Sequence, residues 1–132
     1  MDTVSMLKIE AQIPPRATGA SLLPGWQASR VRAYIERNIA QPIRVPDLSA
    51  LVSRTESHFS RAFKRSFGVS PHAYLVRRRI ELAAQLMIES TTPLSQIALK
   101  CGFSDQAHLC RQFKKHMGAA PTAWRRVRMS DS

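Results

Sequence analysis

The chain has 132 residues, enough for one domain or two very small ones, and 44% of them are hydrophobic, so a packed core is possible. Its formal net charge is +11, an excess that calls for an anionic partner. Composition excludes a membrane span, because no run approaches the ~18 apolar residues needed, and Cys101 and Cys110 alone make no disulfide framework. Residues 1–10 also lack the basic and apolar regions of a signal peptide. A cytoplasmic protein with reduced thiols is expected, with no membrane partner.

Residues 1–25 hold Pro14, Pro15, Gly19, Pro24 and Gly25 without a sustained period, and are expected to form a flexible extension or linker. Asp2, Lys8, Glu10 and Arg16 cancel there, so the positive excess falls entirely on the residues that follow. From Trp26 onward the patterning is helical and nothing alternates as a strand does. A first helix is predicted over 28–38, with Val31, Tyr34, Ile35 and Ile39 near one face, and Pro42 marks the loop after it. A second is predicted over 45–52, turning Leu48, Leu51 and Val52 inward, with Pro46 and Asp47 suited to its first turn. A third starts after Thr55, a good N-cap, and ends before Gly68, which suits a C-terminal cap. The fourth has Ser70 as cap and Pro71 in its first turn and runs to about Glu89, a length of ~28 Å at 1.5 Å per residue. A fifth is predicted over 94–100, between Pro93 and Gly102. The sixth follows Ser104, read as its N-cap, and ends before Gly118; a short seventh begins near Pro121 and carries Trp124. The expected fold class is all-α, with about seven helices.

An internal repeat runs through these helices. His58, Arg61, Phe63, Lys64, Gly68 and Pro71 recur fifty positions later as His108, Arg111, Phe113, Lys114, Gly118 and Pro121. Upstream the offset is forty-nine, pairing Leu48 with Ile97, Ser49 with Ala98 and Thr55 with Ser104, so the second unit has one extra residue near the start of its second helix. Each unit is a short helix, a tight connection and a helix with a basic face, the layout of a helix-turn-helix. Ser49 and Ala98 are small where two helices would cross, and Gly102 sits where the second turn would need positive φ. The first turn has Ser53 and Arg54 instead, a less favourable choice.

At 100° per residue Phe59, Phe63 and Phe67 form one apolar stripe, and Ser57, Arg61 and Lys64 oppose it. Leu109, Phe113 and Met117 form the second stripe, opposed by Ala107, Arg111 and Lys114, with Gln106 and His108 flanking that face. Short polar residues around one arginine suit close approach to base edges in a major groove, where arginine meets guanine O6 and N7. Either helix alone reads better as an ordinary solvated amphipathic helix. Two copies, each behind a short helix and turn, favour DNA.

The segments SHFSRAFKRSFGVSPHAYLVRRRIELAAQLM (57–87) and PLSQIALKCGFSDQAHLCRQFKKHMGAAPTAWRR (93–126) resemble the DNA-binding domain of the AraC/XylS family of bacterial transcription regulators. The resemblance covers about residues 28–126. It implies two helix-turn-helix subdomains, 26–70 and 91–128, joined by a linker helix over 71–90 and followed by a short tail, 129–132. It further implies that the third and sixth helices enter successive major grooves, ~34 Å apart. Carried over by position, Ser57, Ser60 and Arg61 would read bases from one helix, and Gln106, His108 and Arg111 from the other. Thr55, Lys64, Ser104 and Lys114 are the phosphate candidates. The partners implied are double-stranded promoter DNA and RNA polymerase, with activation favoured over repression, a monomeric form and a place on the bacterial nucleoid. Arg44 departs from the family by standing where a Ser or Thr cap is expected. Family members commonly carry a sensory domain ahead of this one, so the chain reads either as a small regulator or as the DNA-binding fragment of a larger ligand-sensing one. A non-specific architectural DNA-binding protein is the alternative.

Other groupings carry less. Arg77, Arg78 and Arg79, and the later Arg125, Arg126 and Arg128, suit phosphate contact and plain solvation about equally. Cys101, His108, Cys110 and His116 lack the paired spacing of a zinc finger, so no metal is expected. Trp26, Tyr74 and Trp124 occupy apolar helix positions and are expected in the core rather than stacked on bases. No hydrolase elbow, phosphate-cradling glycine loop or HExxH occurs, so neither an enzyme nor a cofactor is expected.

Overall fold

The structure is a computed structural model, and it describes residues 22–130. Most of the extension expected over 1–25, and the end of the expected tail, lie outside the described residues. Seven helices and no strand occur among those described: α1 (Gly25–Arg37), α2 (Val45–Leu51), α3 (Glu56–Phe67), α4 (Pro71–Glu89), α5 (Leu94–Lys100), α6 (Gln106–Met117) and α7 (Pro121–Ser130). The fold class is all-α, as the patterning requires.

The helices form two compact units. The first holds α1, α2, α3 and the start of α4. α1 begins three residues before the predicted start, because Pro24 fixes an extended turn and accepts the first helical bond from Ala28 N. Leu23 is buried, and its N–H donates to Ser66 Oγ at 2.8 Å. The core is an aromatic stack. Phe63 lies parallel to Phe67 with centroids 4.1 Å apart, and Tyr74 meets both edge-on. Val31, Ile35, Leu48, Val52 and Phe59 close around it. Trp26 departs from expectation: it is 61% exposed, with Arg30 over its ring. Ile39 also departs, since α1 stops at Arg37.

The second unit holds α5, α6, α7, most of α4 and the segment 39–42. Ile80, Ala83, Met87, Ile97, Ala98, Cys101, Leu109 and Phe113 form its core, with Trp124 packed against it. The apolar stripe of α6 is shorter than predicted. Met117 is 39% exposed, and Trp124 meets Phe113 edge-on.

Two arginines read as surface charge are tied into this unit. Arg79 donates to the carbonyls of Ile39 (3.0 Å) and Gln41 (2.8 Å). Arg125 donates to Met87 O, Ser90 O and Thr92 O at 3.2, 2.6 and 2.9 Å, satisfying carbonyls that the end of α4 leaves open. Arg78 pairs with Glu81, as its spacing suggests.

Candidate nucleic-acid interface

Each unit contains a helix-turn-helix, and the bond that closes the turn is the same in both. In the first, Arg54 N donates to Ser49 O at 3.1 Å; in the second, Phe103 N donates to Ala98 O at 2.9 Å. Ser49 and Ala98 are both buried where the short helix meets the longer one. Gly102 has φ 88°, as the sequence suggests, and Ser53 takes the same left-handed turn without a glycine, at φ 55°. α2 lacks a side-chain cap at Arg44, and Asp47 compensates by accepting from Arg44 N at 2.9 Å.

The longer helices end alike. Gly68 and Gly118 have φ 83° and 82°, and their N–H groups donate to Lys64 O and Lys114 O. Their starts differ. Thr55 caps α3 as predicted, accepting from His58 N at 3.3 Å. Ser104 does not cap α6. Asp105 does, its carboxylate accepting from His108 N at 2.8 Å. Matched by their caps, Thr55 corresponds to Asp105, and Ser104 is the extra residue of the second turn. Its backbone N and Oγ lie 3.3 and 3.2 Å from His108 Nδ1. An acidic residue at a helix N-terminus was itself the signal available, since Asp is as good a cap as Ser and favours the dipole.

On α3, Ser57, Arg61 and Lys64 are exposed opposite buried Phe59, Phe63 and Phe67, and Ser60 is half-buried at the margin. On α6, Gln106, Arg111 and Lys114 are exposed opposite buried Leu109 and Phe113, and His108 is half-buried. Thr55 and Ser104 are exposed at the two helix starts. Among the described residues Arg61 and Arg111 have no acidic partner, so their guanidinium groups are open to a ligand. The positive ends of the two helix dipoles lie beside Thr55 and Ser104, whereas Lys64 and Lys114 fall in the last turns.

Near the end of α6, His116 is held below its ordinary range by burial first, then by the neighbouring charges of Lys115 and Arg77. Among the described residues no three His, Cys, Asp or Glu side chains come together to hold a metal ion. No helix there is long and apolar enough to cross a membrane.

Two matched turns, each carrying an exposed basic helix, define a DNA-binding transcription regulator of the helix-turn-helix class, and comparison with known proteins agrees. A family model described as a helix-turn-helix domain matches residues 48–127. The chain is 40% identical over 91 residues to the "probable transcriptional regulator LumQ" of Photobacterium leiognathi, covering 69% of this chain and 37% of that protein. An AraC-type DNA-binding domain structure from Chromobacterium violaceum superposes with a TM-score of 0.71 at 27% identity, over 77% of this chain and 91% of that one. The DNA-binding domain of AdpA, solved with a target DNA, gives a TM-score of 0.75 at 25% identity, over 80% and 94%. The chain belongs to the AraC/XylS family of transcription regulators. It spans about a third of the length of the curated relatives it matches. Its relatives and its fold are those of DNA-binding regulators, not enzymes.

Proposed function

We propose that the chain recognises an asymmetric promoter site in duplex DNA as a monomer, with α3 and α6 entering successive major grooves, and that it activates transcription by recruiting RNA polymerase. The observation that carries this reading is the pair Arg61 and Arg111. They occupy the same place on two helices, exposed opposite buried aromatic stripes and without an acid among the described residues. Ser57 and Ser60 flank the first, and Gln106 and His108 the second; these side chains differ, so the two halves of the site should differ in sequence. Lys64 and Lys114 lie one turn further along, with Thr55 and Ser104 at the helix starts, where phosphate oxygens would pass. Two readers one helical turn apart favour a bent duplex. The place of action is the bacterial nucleoid. Activation follows from the family resemblance.

Selection from a random duplex pool followed by competition tests the reading. A defined bipartite sequence should emerge and should outcompete random duplex by ~10³-fold or more. Equal competition by random duplex would favour an architectural protein instead. A reporter driven by the selected site should then rise with the chain present; a fall would make it a repressor.

A further inference from the structure

Resting on that reading, we infer that His108 contributes to the second half of the site as a hydrogen-bond donor only, through Nε2–H, and that its target is the N7 edge of a purine. The extra residue of the second turn is what fixes this. Because Asp105 caps α6, Ser104 is free of that duty, and its backbone N lies 3.3 Å from His108 Nδ1. A peptide N–H only donates, so Nδ1 must supply the lone pair and the ring proton must sit on Nε2. Ser104 Oγ lies 3.2 Å from the same nitrogen, and its O–H can donate to that lone pair as well. Phe103 meets the imidazole edge-on, with centroids 5.2 Å apart at 86°, and limits its rotation. Among the described residues Nε2 has no partner, which leaves one donor beside Gln106 and one turn ahead of Arg111.

The first unit shares the cap but, among the described residues, has nothing that fixes the histidine ring. Thr55 is itself the cap, no residue is inserted, and Arg54 stands where Phe103 does, so His58 is left without a fixed tautomer. A lone donor in the major groove is matched by N7 of guanine or adenine, by guanine O6 and by thymine O4. It is mismatched at the amino groups of cytosine and adenine.

Two measurements on the full chain test this. Nitrogen-15 NMR of the histidine rings, above their titration range, should show His108 with its proton on Nε2 and His58 as a mixture of tautomers. A proton on Nδ1 of His108, or the same mixture at both residues, would overturn the inference. On the duplex selected from the random pool, each purine is replaced in turn by its 7-deaza analogue. One purine in the half-site that depends on Arg111 should weaken wild-type binding roughly two- to ten-fold when replaced, and should have no effect on His108→Ala. If no purine shows that pattern while Arg111→Ala still relaxes the half-site, this inference falls and the DNA-reading account stands. If Arg111→Ala and Arg61→Ala change nothing either, the account beneath it falls as well.

Discussion

Ser53 and Gly102 turn the chain at the same corner of the two helix-turn-helix units, both at positive φ, 55° and 88°. The surroundings of Gly102 account for the glycine. A Cβ there would lie 2.4 Å from Ile39 O and 2.5 Å from Arg79 Nε, two atoms already hydrogen-bonded to each other. Gly102→Ala should therefore cost about 2–4 kcal/mol, the left-handed penalty plus displacement of the Arg79 contact. Ser53 is exposed, so Ser53→Gly relieves backbone strain at little packing cost and should leave stability within about 1 kcal/mol of wild type, on the stabilising side. Thermal melts of the two variants check the contrast.

Phe63 and Phe113 are fully buried, the first in the aromatic stack and the second against Trp124. Phe63→Ala and Phe113→Ala should each cost ~3–5 kcal/mol and weaken DNA binding only through loss of folded protein. Unchanged melts for both would mean that the outward and inward faces of α3 and α6 are reversed.

These faces were legible in the sequence because aromatic residues recur every four positions and the same pattern returns fifty residues later. What was hidden depends on contacts distant in sequence. Arg79 and Arg125 look like surface charge until Ile39, Gln41, Met87, Ser90 and Thr92 are seen to offer them carbonyls. Trp26 and Met117 follow the apolar period of their helices, yet they stay 61% and 39% exposed. Ser104 and Asp105 are both good caps, and only backbone geometry chooses between them.

Cys101 is buried, and its thiol is pushed up to about 12 from an ordinary 9.0, by loss of solvent first, with Arg79 and Lys100 pulling the other way. The unfolded chain gives up this proton near its ordinary value while the folded chain keeps it. The stability involved is therefore complete below about pH 9 and is lost as pH rises toward 12. Denaturation curves across that range should show an alkaline loss that Cys101→Ala reduces. Under native conditions a thiol reagent should modify the half-exposed Cys110 well before Cys101.

The positive excess predicts how binding responds to salt. With roughly 6–10 phosphate contacts, affinity for duplex DNA should fall ~10³–10⁵-fold between 50 and 200 mM salt. A flat response in a filter-binding titration would mean that the charge serves something other than the phosphate backbone.

The central claim, that both helices read sequence, is tested most directly by the affinity of Arg61→Ala and Arg111→Ala for the selected duplex and for versions scrambled in either half. Neither arginine is needed for folding, since both are exposed opposite the core. Each variant should lose about 1–3 kcal/mol on the intact site and relax preference in one half only, a different half for each, while binding to random duplex weakens much less. Should Arg111→Ala leave every affinity unchanged, α6 would be a support and α3 the single reader. Equal losses on selected and random DNA from both variants would contradict sequence reading altogether.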